Sequence, residues 1–264
     1  MNSLKKIFAV FNEKGFSYTF KKIISKILAR KIDNYAQIKA TISNKCGLEI
    51  GGPSGIFRHR GFIPLYNIVK ELDGCNFSNR TIWEGKIDAG KTYCYLENKK
   101  GFQYISEATN LSNIPNAKYD FVISSHCLEH VANPLKAIEE WLRVLKKDAV
   151  LLIVLPNKRF TFDHKRSVTK FAHLLEDYQN NTGENDLTHL KEILELHDLN
   201  MDKPAGSKEQ FQARALKNFE TRSIHHHVFD IAVLKEIYSF FNFEVILVDE
   251  KSQDLVIFGK RRNI

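Results

Sequence analysis

The sequence predicts an α/β fold with a mainly parallel, doubly wound sheet and helices on both faces. Three observations support this prediction. Predicted strands and helices alternate from Gly47 onward, and the first strand stops at a glycine-rich turn. The run from Ala149 to Leu155 is almost wholly apolar and ends at Pro156, which is typical of a strand buried on both faces of a parallel sheet.

The size and composition of the chain favour one globular domain with an insertion. The 264 residues are 43% hydrophobic and 27% charged, as in an ordinary globular protein. No apolar run reaches the length of an ordinary membrane-spanning helix. Four widely spaced cysteines without a Cys-x-x-Cys pair argue against a zinc ribbon or a disulfide framework and fit a reducing cytoplasm.

The N-terminal part and the remainder of the chain differ in character. Residues 1–40 have the pattern of a basic amphipathic helical segment, which either packs on the domain or lies on a membrane surface. Residues 41–264 are expected to form the domain, so we expect a cytoplasmic protein, with peripheral contact at the inner face of the membrane as an option. The net charge of +8 favours contact with something anionic, such as nucleic acid, a membrane surface or a phosphorylated substrate, unless the lysine-rich surface serves only solubility. No nucleic-acid-binding motif occurs, and nucleic acid is not an expected partner.

The predicted elements follow one another along the chain and enclose one long interruption. Seven strands are predicted: Cys46–Ile50, Thr81–Trp83, Gln103–Ile105, Tyr119–Ser124, Ala149–Leu155, Phe243–Val248 and Leu255–Gly259. Helices are predicted at Pro134–Lys147, Val168–Tyr178, Leu187–Leu196 and Asp230–Phe241. Residues 157–228 are polar and rich in histidine, and they separate the fifth strand from the next core helix. This segment is expected to be a lid or an acceptor-binding insertion.

The turn after the first strand is the first sign of a cofactor site. It has the sequence Leu-Glu-Ile-Gly-Gly-Pro-Ser-Gly, with glycines at 51, 52 and 55 and an acid at 49. Glycine permits unusual dihedral angles and lets the backbone approach a ligand closely. Pro53 occupies the middle position between Gly51 and Gly55, where the pattern would have a glycine, and Gly52 lies beside it.

The fourth predicted strand supplies the second sign. The stretch Tyr119–Val131 contains Asp-Phe-Val and then Leu-Glu-His, and it leads into a helix that ends with Arg-Val-Leu-Lys. Together with the glycine turn, this stretch resembles the class I S-adenosylmethionine (SAM)-dependent methyltransferases over Gly47–Pro156. The resemblance implies SAM as cofactor and a Rossmann-like, mainly parallel seven-stranded sheet with a helical insertion after the fifth strand. A nicotinamide dehydrogenase would share the glycine turn but not the fourth-strand element.

The family pattern also implies the cofactor contacts by position. They are Glu49, Gly51, Gly52 and Gly55 at the methionine part, Glu84 at the ribose hydroxyls, Glu107 and Ala108 at the adenine, and Ser125 and His126 beside the methyl-bearing sulfur.

Candidate catalytic groups are concentrated in the insertion. Methyl transfer is an in-line displacement, and a hydroxyl acceptor must lose its proton to a base. The candidates for this role are Asp163, His164, His226 and His227. Asp163 with His225 and His227 could instead bind Mg²⁺ or Mn²⁺. The alternatives are that these histidines are structural, or that catalysis lies in the His126–His130 element.

The insertion further resembles a bacterial methyltransferase subgroup associated with capsular polysaccharide biosynthesis. This resemblance implies an O-methyltransferase that acts on an anionic sugar precursor, such as a nucleotide-linked sugar, or on its phosphate-type modifying group. Two alternatives stay open. One is a methyltransferase for small molecules of the quinone type, and the other is a non-catalytic protein with this fold that docks on a membrane assembly complex.

Overall fold

The computed structural model of this chain describes residues 31–251 and 253–262. The predictions made for residues 1–30, including membrane contact, lie outside the described residues. Helix α1 (Tyr35–Ile42) follows them, and its Ile38 and Ile42 side chains are completely buried in the core of the domain. None of the helices in the described ranges is long and apolar enough to cross a membrane.

The main sheet has eight strands in the order β5-β6-β2-β1-β7-β8-β10-β9, and β3 and β4 form a separate hairpin. The strands are β1 Cys46–Ile50, β2 Glu71–Asn76, β3 Arg80–Thr81, β4 Gly85–Lys86, β5 Gly90–Leu96, β6 Lys99–Ile105, β7 Tyr119–Ser125, β8 Leu145–Pro156, β9 Phe243–Asp249 and β10 Asp254–Arg261.

The predicted direction of the sheet is confirmed, whereas the predicted number of strands is wrong. The neighbours β6, β2, β1, β7 and β8 are mutually parallel. At one edge β5 pairs antiparallel with β6, and at the other β10 pairs antiparallel with both β8 and β9. The sheet is therefore mixed at its edges. The carboxyl ends of its five parallel strands lie together, where open α/β sheets bind ligands.

The second strand of the sheet is β2 and not the predicted segment Thr81–Trp83, which belongs largely to the β3–β4 hairpin. Strand β2 was not predicted from the hydrophobic pattern of the sequence, because it carries the buried acid Asp73. The Asp73 carboxylate accepts hydrogen bonds from the Phe102 amide (2.7 Å), the Lys118 ammonium (2.8 Å) and the Tyr119 hydroxyl (2.6 Å). These partners compensate for the burial of the charge, which makes an acid acceptable inside the sheet.

Helices cover both faces of the sheet. The helices that follow α1 are α2 Pro134–Val144, α3 Phe171–Gln179, α4 Leu190–Leu196, α5 Lys208–Ala215, α6 Asn218–Thr221 and α7 Ile231–Phe240. Helices α2 and α7 pack on one face, while α1 and the irregular segment 56–69 pack on the other. Helix α2 begins as predicted, with Pro134 as its first residue and the Asn133 side chain accepting a hydrogen bond from the Lys136 amide.

The insertion 157–228 carries helices α3 to α6 and begins at the carboxyl end of β8. It contains a small hydrophobic core of its own, formed by Ile193, Ala205, Phe211, Ala215 and Ile224. Helix α3 instead contributes the buried Leu174 to the main core. The insertion is thus fixed to the domain beside the end of the sheet that offers a ligand site.

Candidate active site

A cavity of about 800 Å³ lies at the carboxyl ends of the parallel strands, within the usual size range of small-molecule sites. The loops after β1, β2, β6 and β7 form one wall, and the insertion forms the other. The cavity-lining residues discussed below are Gly51, Gly55, Asn76, Glu84, Glu107, Ala108, Ser125, His126, Glu129, His130, Arg214, Arg222 and His225.

The glycine turn gives the cavity its most open wall. Gly51 has a φ of +82°, a conformation that favours glycine, and its amide donates to the Cys75 carbonyl at 2.9 Å. A Cβ added at Gly55 would meet no atom within 4 Å. Gly51 and Gly55 are thus exposed and line the cavity. The structure departs from the expected strand-to-helix turn only in that a short 3₁₀ turn, Gly55–Phe57, follows.

Glu49 and Gly52 were also predicted to contact the cofactor, but neither lines the cavity. The Glu49 carboxylate is completely buried and accepts hydrogen bonds from the Ser54 amide (2.9 Å), the Tyr66 hydroxyl (2.8 Å) and the Tyr93 hydroxyl (2.6 Å). Burial raises the pKa of Glu49 while these hydrogen bonds oppose the rise. A Cβ at Gly52 would lie 2.3 Å from this carboxylate. Both residues therefore shape the turn from behind.

Glu49→Ala should consequently weaken the fold as well as cofactor binding. Loss of the carboxylate leaves the buried Tyr93 hydroxyl without its acceptor and removes one hydrogen bond each from the Ser54 amide and the Tyr66 hydroxyl, which costs about 1–3 kcal/mol. We expect a lower thermal unfolding temperature together with weaker SAM binding, measured by calorimetry. Tyr66→Phe removes one of the three hydrogen bonds and should have a smaller effect on both; an unchanged Glu49→Ala protein would contradict this role.

Sequence reasoning misplaced the residue at the end of the second strand. Glu84 lines the cavity from the exposed β3–β4 hairpin, and it does not end a strand of the main sheet. The position assigned to a ribose-binding acid is held by Asn76, at the end of β2. The Asn76 side chain lines the cavity and accepts a hydrogen bond from the Gln103 amide at 3.1 Å. Asn76 could have been identified from the sequence only if Glu71–Asn76 had been recognised as the second strand.

The segment after β6 supplies Glu107 and Ala108, both of which line the cavity. The Glu107 carboxylate accepts a hydrogen bond at 2.7 Å from Arg222 of the insertion, which also pairs with Glu184 at 2.6 Å. Burial raises the pKa of Glu184 to about 7, although Arg222 opposes the rise. These contacts tie the insertion to the wall of the cavity.

The end of β7 supplies Ser125 and His126, which also line the cavity. His126 has a φ of +51°, and its Nε2 lies 2.8 Å from a carboxylate oxygen of Asp254. Burial lowers the pKa of His126, but Asp254 and Glu129 raise it by more. A positively charged imidazole at this position is therefore favoured more than for an ordinary histidine.

Glu129 is a buried acid on the cavity wall. It is 1% exposed, and neither carboxylate oxygen has a hydrogen-bond partner among the described residues. Burial raises its pKa, while the neighbouring His225 lowers it. One possible metal-ligand atom from each of Glu129, His130 and His225 lies within 4.8 Å of the other two, so these three side chains could bind a polar or cationic group.

The insertion brings His225 to the cavity, with Asp163 directly behind it. His225 Nδ1 lies 2.5 Å from Asp163 Oδ2, and Arg166 donates to Asp163 Oδ1 at 3.1 Å. Burial alone would raise the pKa of Asp163, but His225 and Arg166 outweigh it and lower the pKa to about 2. Asp163 is therefore a carboxylate at any working pH. His225 had been predicted only as a metal ligand.

The three other histidines proposed for the insertion do not line the cavity. His164 lies near Asp198, with 3.6 Å between Nε2 and Oδ2. His226 is completely buried against Asn218, and burial lowers its pKa to about 4. His227 Nε2 donates to the Ala132 carbonyl at 3.1 Å. These side chains therefore lie away from the cavity in which they were expected to contact an acceptor.

The predicted metal set of Asp163, His225 and His227 lines one small pocket, but its ligand atoms do not form a group with metal-binding spacing. Asp163 contacts His225, whereas the ligand atoms of His227 lie with another group of side chains. The prediction relied on alternate residues of an extended segment sharing one face. The backbone bends at Ile224 and again at His226, so this alternation does not apply.

Comparison with known proteins identifies the family. A methyltransferase domain model matches residues 20–248, which is most of the chain. Comparison with curated proteins returns no match. Among solved structures, a SAM-dependent methyltransferase from Thermotoga maritima shares 16% identity with a TM-score of 0.45, covering 97% of this chain and 99% of that one. One from Aquifex aeolicus shares 16% identity with a TM-score of 0.47, covering 94% and 99%.

The family match extends across the glycine turn, the parallel strands and most of the cavity wall described above. The chain therefore belongs to this methyltransferase domain family and is a SAM-dependent methyltransferase with a Rossmann-like fold.

Proposed function

We propose that this enzyme is an O-methyltransferase that acts on a hydroxyl of a polysaccharide-type sugar precursor, with His225 as the general base. The observation that carries the proposal is the pair formed by His225, on the cavity wall, and the buried Asp163 carboxylate behind it. A sugar hydroxyl is a weak nucleophile until a base removes its proton, so an O-methyltransferase for sugars needs such a group.

The cofactor fits the opposite wall of the cavity. Open backbone at Gly51 and Gly55 would receive the methionine part, and the Asn76 amide at the end of β2 would bind the ribose hydroxyls. Glu107 and Ala108 would lie at the adenine, with Ser125 and His126 nearer the sulfur. SAM supplies a methyl group activated by its sulfonium. The protein binds it, aligns the acceptor oxygen and excludes water.

The His225–Asp163 pair determines which ring nitrogen acts as the base. The Asp163 carboxylate accepts from Nδ1, so Nδ1 carries the proton of the neutral ring and the lone pair is on Nε2. The acceptor hydroxyl would donate its proton to Nε2 as its oxygen attacks the methyl carbon. The resulting imidazolium is then stabilised by the permanently charged Asp163 behind it.

Arg214 supports an acceptor that carries a negative group. It lines the cavity from α5, pairs with Asp202 at 3.0 Å, and has a buried Nε without a hydrogen-bond partner in the part of the chain that the structure describes. The other arginine of the wall, Arg222, is already paired with two acids. Arg214 thus retains a donor for a phosphate of a nucleotide-linked or phosphorylated sugar.

Arg214 also favours a second candidate, in which the acceptor atom is an oxygen of the phosphate-type modifying group itself. Such an oxygen is ionised at neutral pH and needs no general base. The two candidates therefore differ in whether methyl transfer requires the base.

The direct test is an assay with SAM labelled in its methyl group and a panel of acceptors. The panel contains nucleotide-linked sugars, sugar phosphates and, as representatives of the quinone-type alternative, catechols. We expect label in an ether on a sugar carbon. Label on a phosphate-type oxygen would replace the main proposal by the second candidate. Labelling of catechols alone would overturn both.

Arg214→Met should weaken the binding of a phosphorylated acceptor without changing that of SAM. Hydrogen bonds to charged groups contribute about 1.5–3 kcal/mol, so KM for the acceptor should rise roughly 10- to 100-fold. Arg159→Met is the matched control, because Arg159 is exposed and does not line the cavity. An equal change in both variants, or in neither, would remove Arg214 from the acceptor site.

A further inference from the structure

A second group of potential metal ligands lies in the insertion, apart from the cavity. It consists of His173, Asp177, His189 and His227, which we refer to as the His₃Asp cluster. His173 and Asp177 are four residues apart on one face of α3, and His189 directly precedes α4. One ligand atom from each of the four side chains lies within 4.8 Å of the others.

The distances within the cluster match the edges of a small tetrahedron. His173 Nε2 lies 3.0 Å from His189 Nε2 and 3.4 Å from Asp177 Oδ2, and a ring nitrogen of His227 lies within 4.8 Å of these atoms. Zinc bonds of about 2.0–2.1 Å in tetrahedral geometry place neighbouring ligand atoms about 3.3–3.4 Å apart. The observed spacing brackets this value.

Asp177 has a hydrogen-bonded outer partner of the kind that metal-binding side chains use, and His173 and His189 each lie near a glutamate. The second ring nitrogens of His173 and His189 each lie 3.8 Å from a glutamate carboxylate, of Glu176 and Glu192 respectively. Asp177 Oδ1 accepts a hydrogen bond from the Thr182 hydroxyl at 3.0 Å. Such partners orient a ligand and fix which of its atoms faces the ion.

His227 and Asp177 leave buried lone pairs to be satisfied. His227 Nε2 donates to a carbonyl, so Nδ1 carries the lone pair. This Nδ1 and Asp177 Oδ2 are both buried and lack hydrogen-bond partners among residues 31–251 and 253–262.

We propose that the His₃Asp cluster is a structural zinc site. Three imidazoles and one carboxylate complete a tetrahedral shell and leave no position for a substrate, which is typical of structural zinc. The ion would join α3, the start of α4 and the segment that returns the chain from the insertion to the core. His225 lies two residues before His227, so the ion would also steady the segment that carries His225 into the cavity.

The test is a zinc titration of the full-length protein after removal of metal with a chelator. We expect one zinc per chain by elemental analysis and a rise in Tm of roughly 10 °C at saturating zinc. His173→Ala/His189→Ala should lose the ion and the rise in Tm. His164→Ala, in the same insertion but outside the cluster, should keep both.

Two further arms make the outcome decisive. His130→Ala, in the group on the cavity wall, should retain zinc; loss of the ion there would place the metal in the cavity and overturn the proposal. If the double variant does not fold, the alternative experiment is to load the metal-free wild-type protein with Co²⁺ in place of zinc and record its visible absorption spectrum. Intense visible absorption of tetrahedral Co²⁺ supports the site, and a weak octahedral spectrum or no bound metal overturns it.

Discussion

Gly55→Leu is expected to lower the affinity for SAM by roughly 10- to 100-fold while the protein stays folded. A Cβ at this position meets no protein atom within 4 Å, so the new side chain projects into the cavity at the glycine turn. With the cofactor bound, the leucine would occupy the same space, and inserting methylenes into a filled site costs about 1–3 kcal/mol. Calorimetry with SAM and S-adenosylhomocysteine measures the loss, and thermal unfolding monitors the fold.

Gly55→Ala is the graded control, because a single methyl group should reduce the affinity less. Gly51 is a poorer choice for this test. Its φ is +82° and an added Cβ would lie 2.9 Å from Cys127, so a substitution there strains the protein itself. If Gly55→Leu binds SAM as tightly as the wild type, the methionine part of the cofactor does not lie at this turn.

The parts of the site that lie on regular elements could be predicted from the sequence. Tyr119–Ser125 is apolar enough to be recognised as a buried strand, and the end of such a strand determines where Ser125 and His126 lie. The end of β6 places Glu107 and Ala108 in the same way. Strand β2 could not be recognised, because Asp73 is satisfied by partners distant in sequence that no local pattern reveals.

The insertion shows the opposite situation. His225, His226 and His227 are consecutive, yet they lie in a cavity wall, a buried polar contact and the His₃Asp cluster respectively. Bends in the backbone at Ile224 and His226 separate their directions, and no periodicity encodes such bends. The abundance of histidine led us to expect chemistry in the insertion, but it could not indicate which imidazole reaches the cavity.

His225→Ala is expected to lower kcat by roughly 100- to 10,000-fold with a hydroxyl acceptor, because the acceptor oxygen then lacks its base. The affinity for SAM should be unchanged, since the residues proposed to bind the cofactor lie after strands of the main sheet and His225 lies in the insertion. His164→Ala is the matched control, because His164 lies in the same insertion without lining the cavity. Single-turnover methyl transfer from labelled SAM measures the chemical step for both variants.

Two additional measurements separate a general base from a residue that only maintains the shape of the insertion. Asp163→Asn leaves a side chain of the same size but removes the charge that stabilises the imidazolium, so it should also slow turnover strongly. Normal turnover of the His225→Ala variant on a sugar hydroxyl would rule out His225 as the base. A large defect that spared only phosphate-type acceptors would support the base, because those oxygens carry no proton to remove.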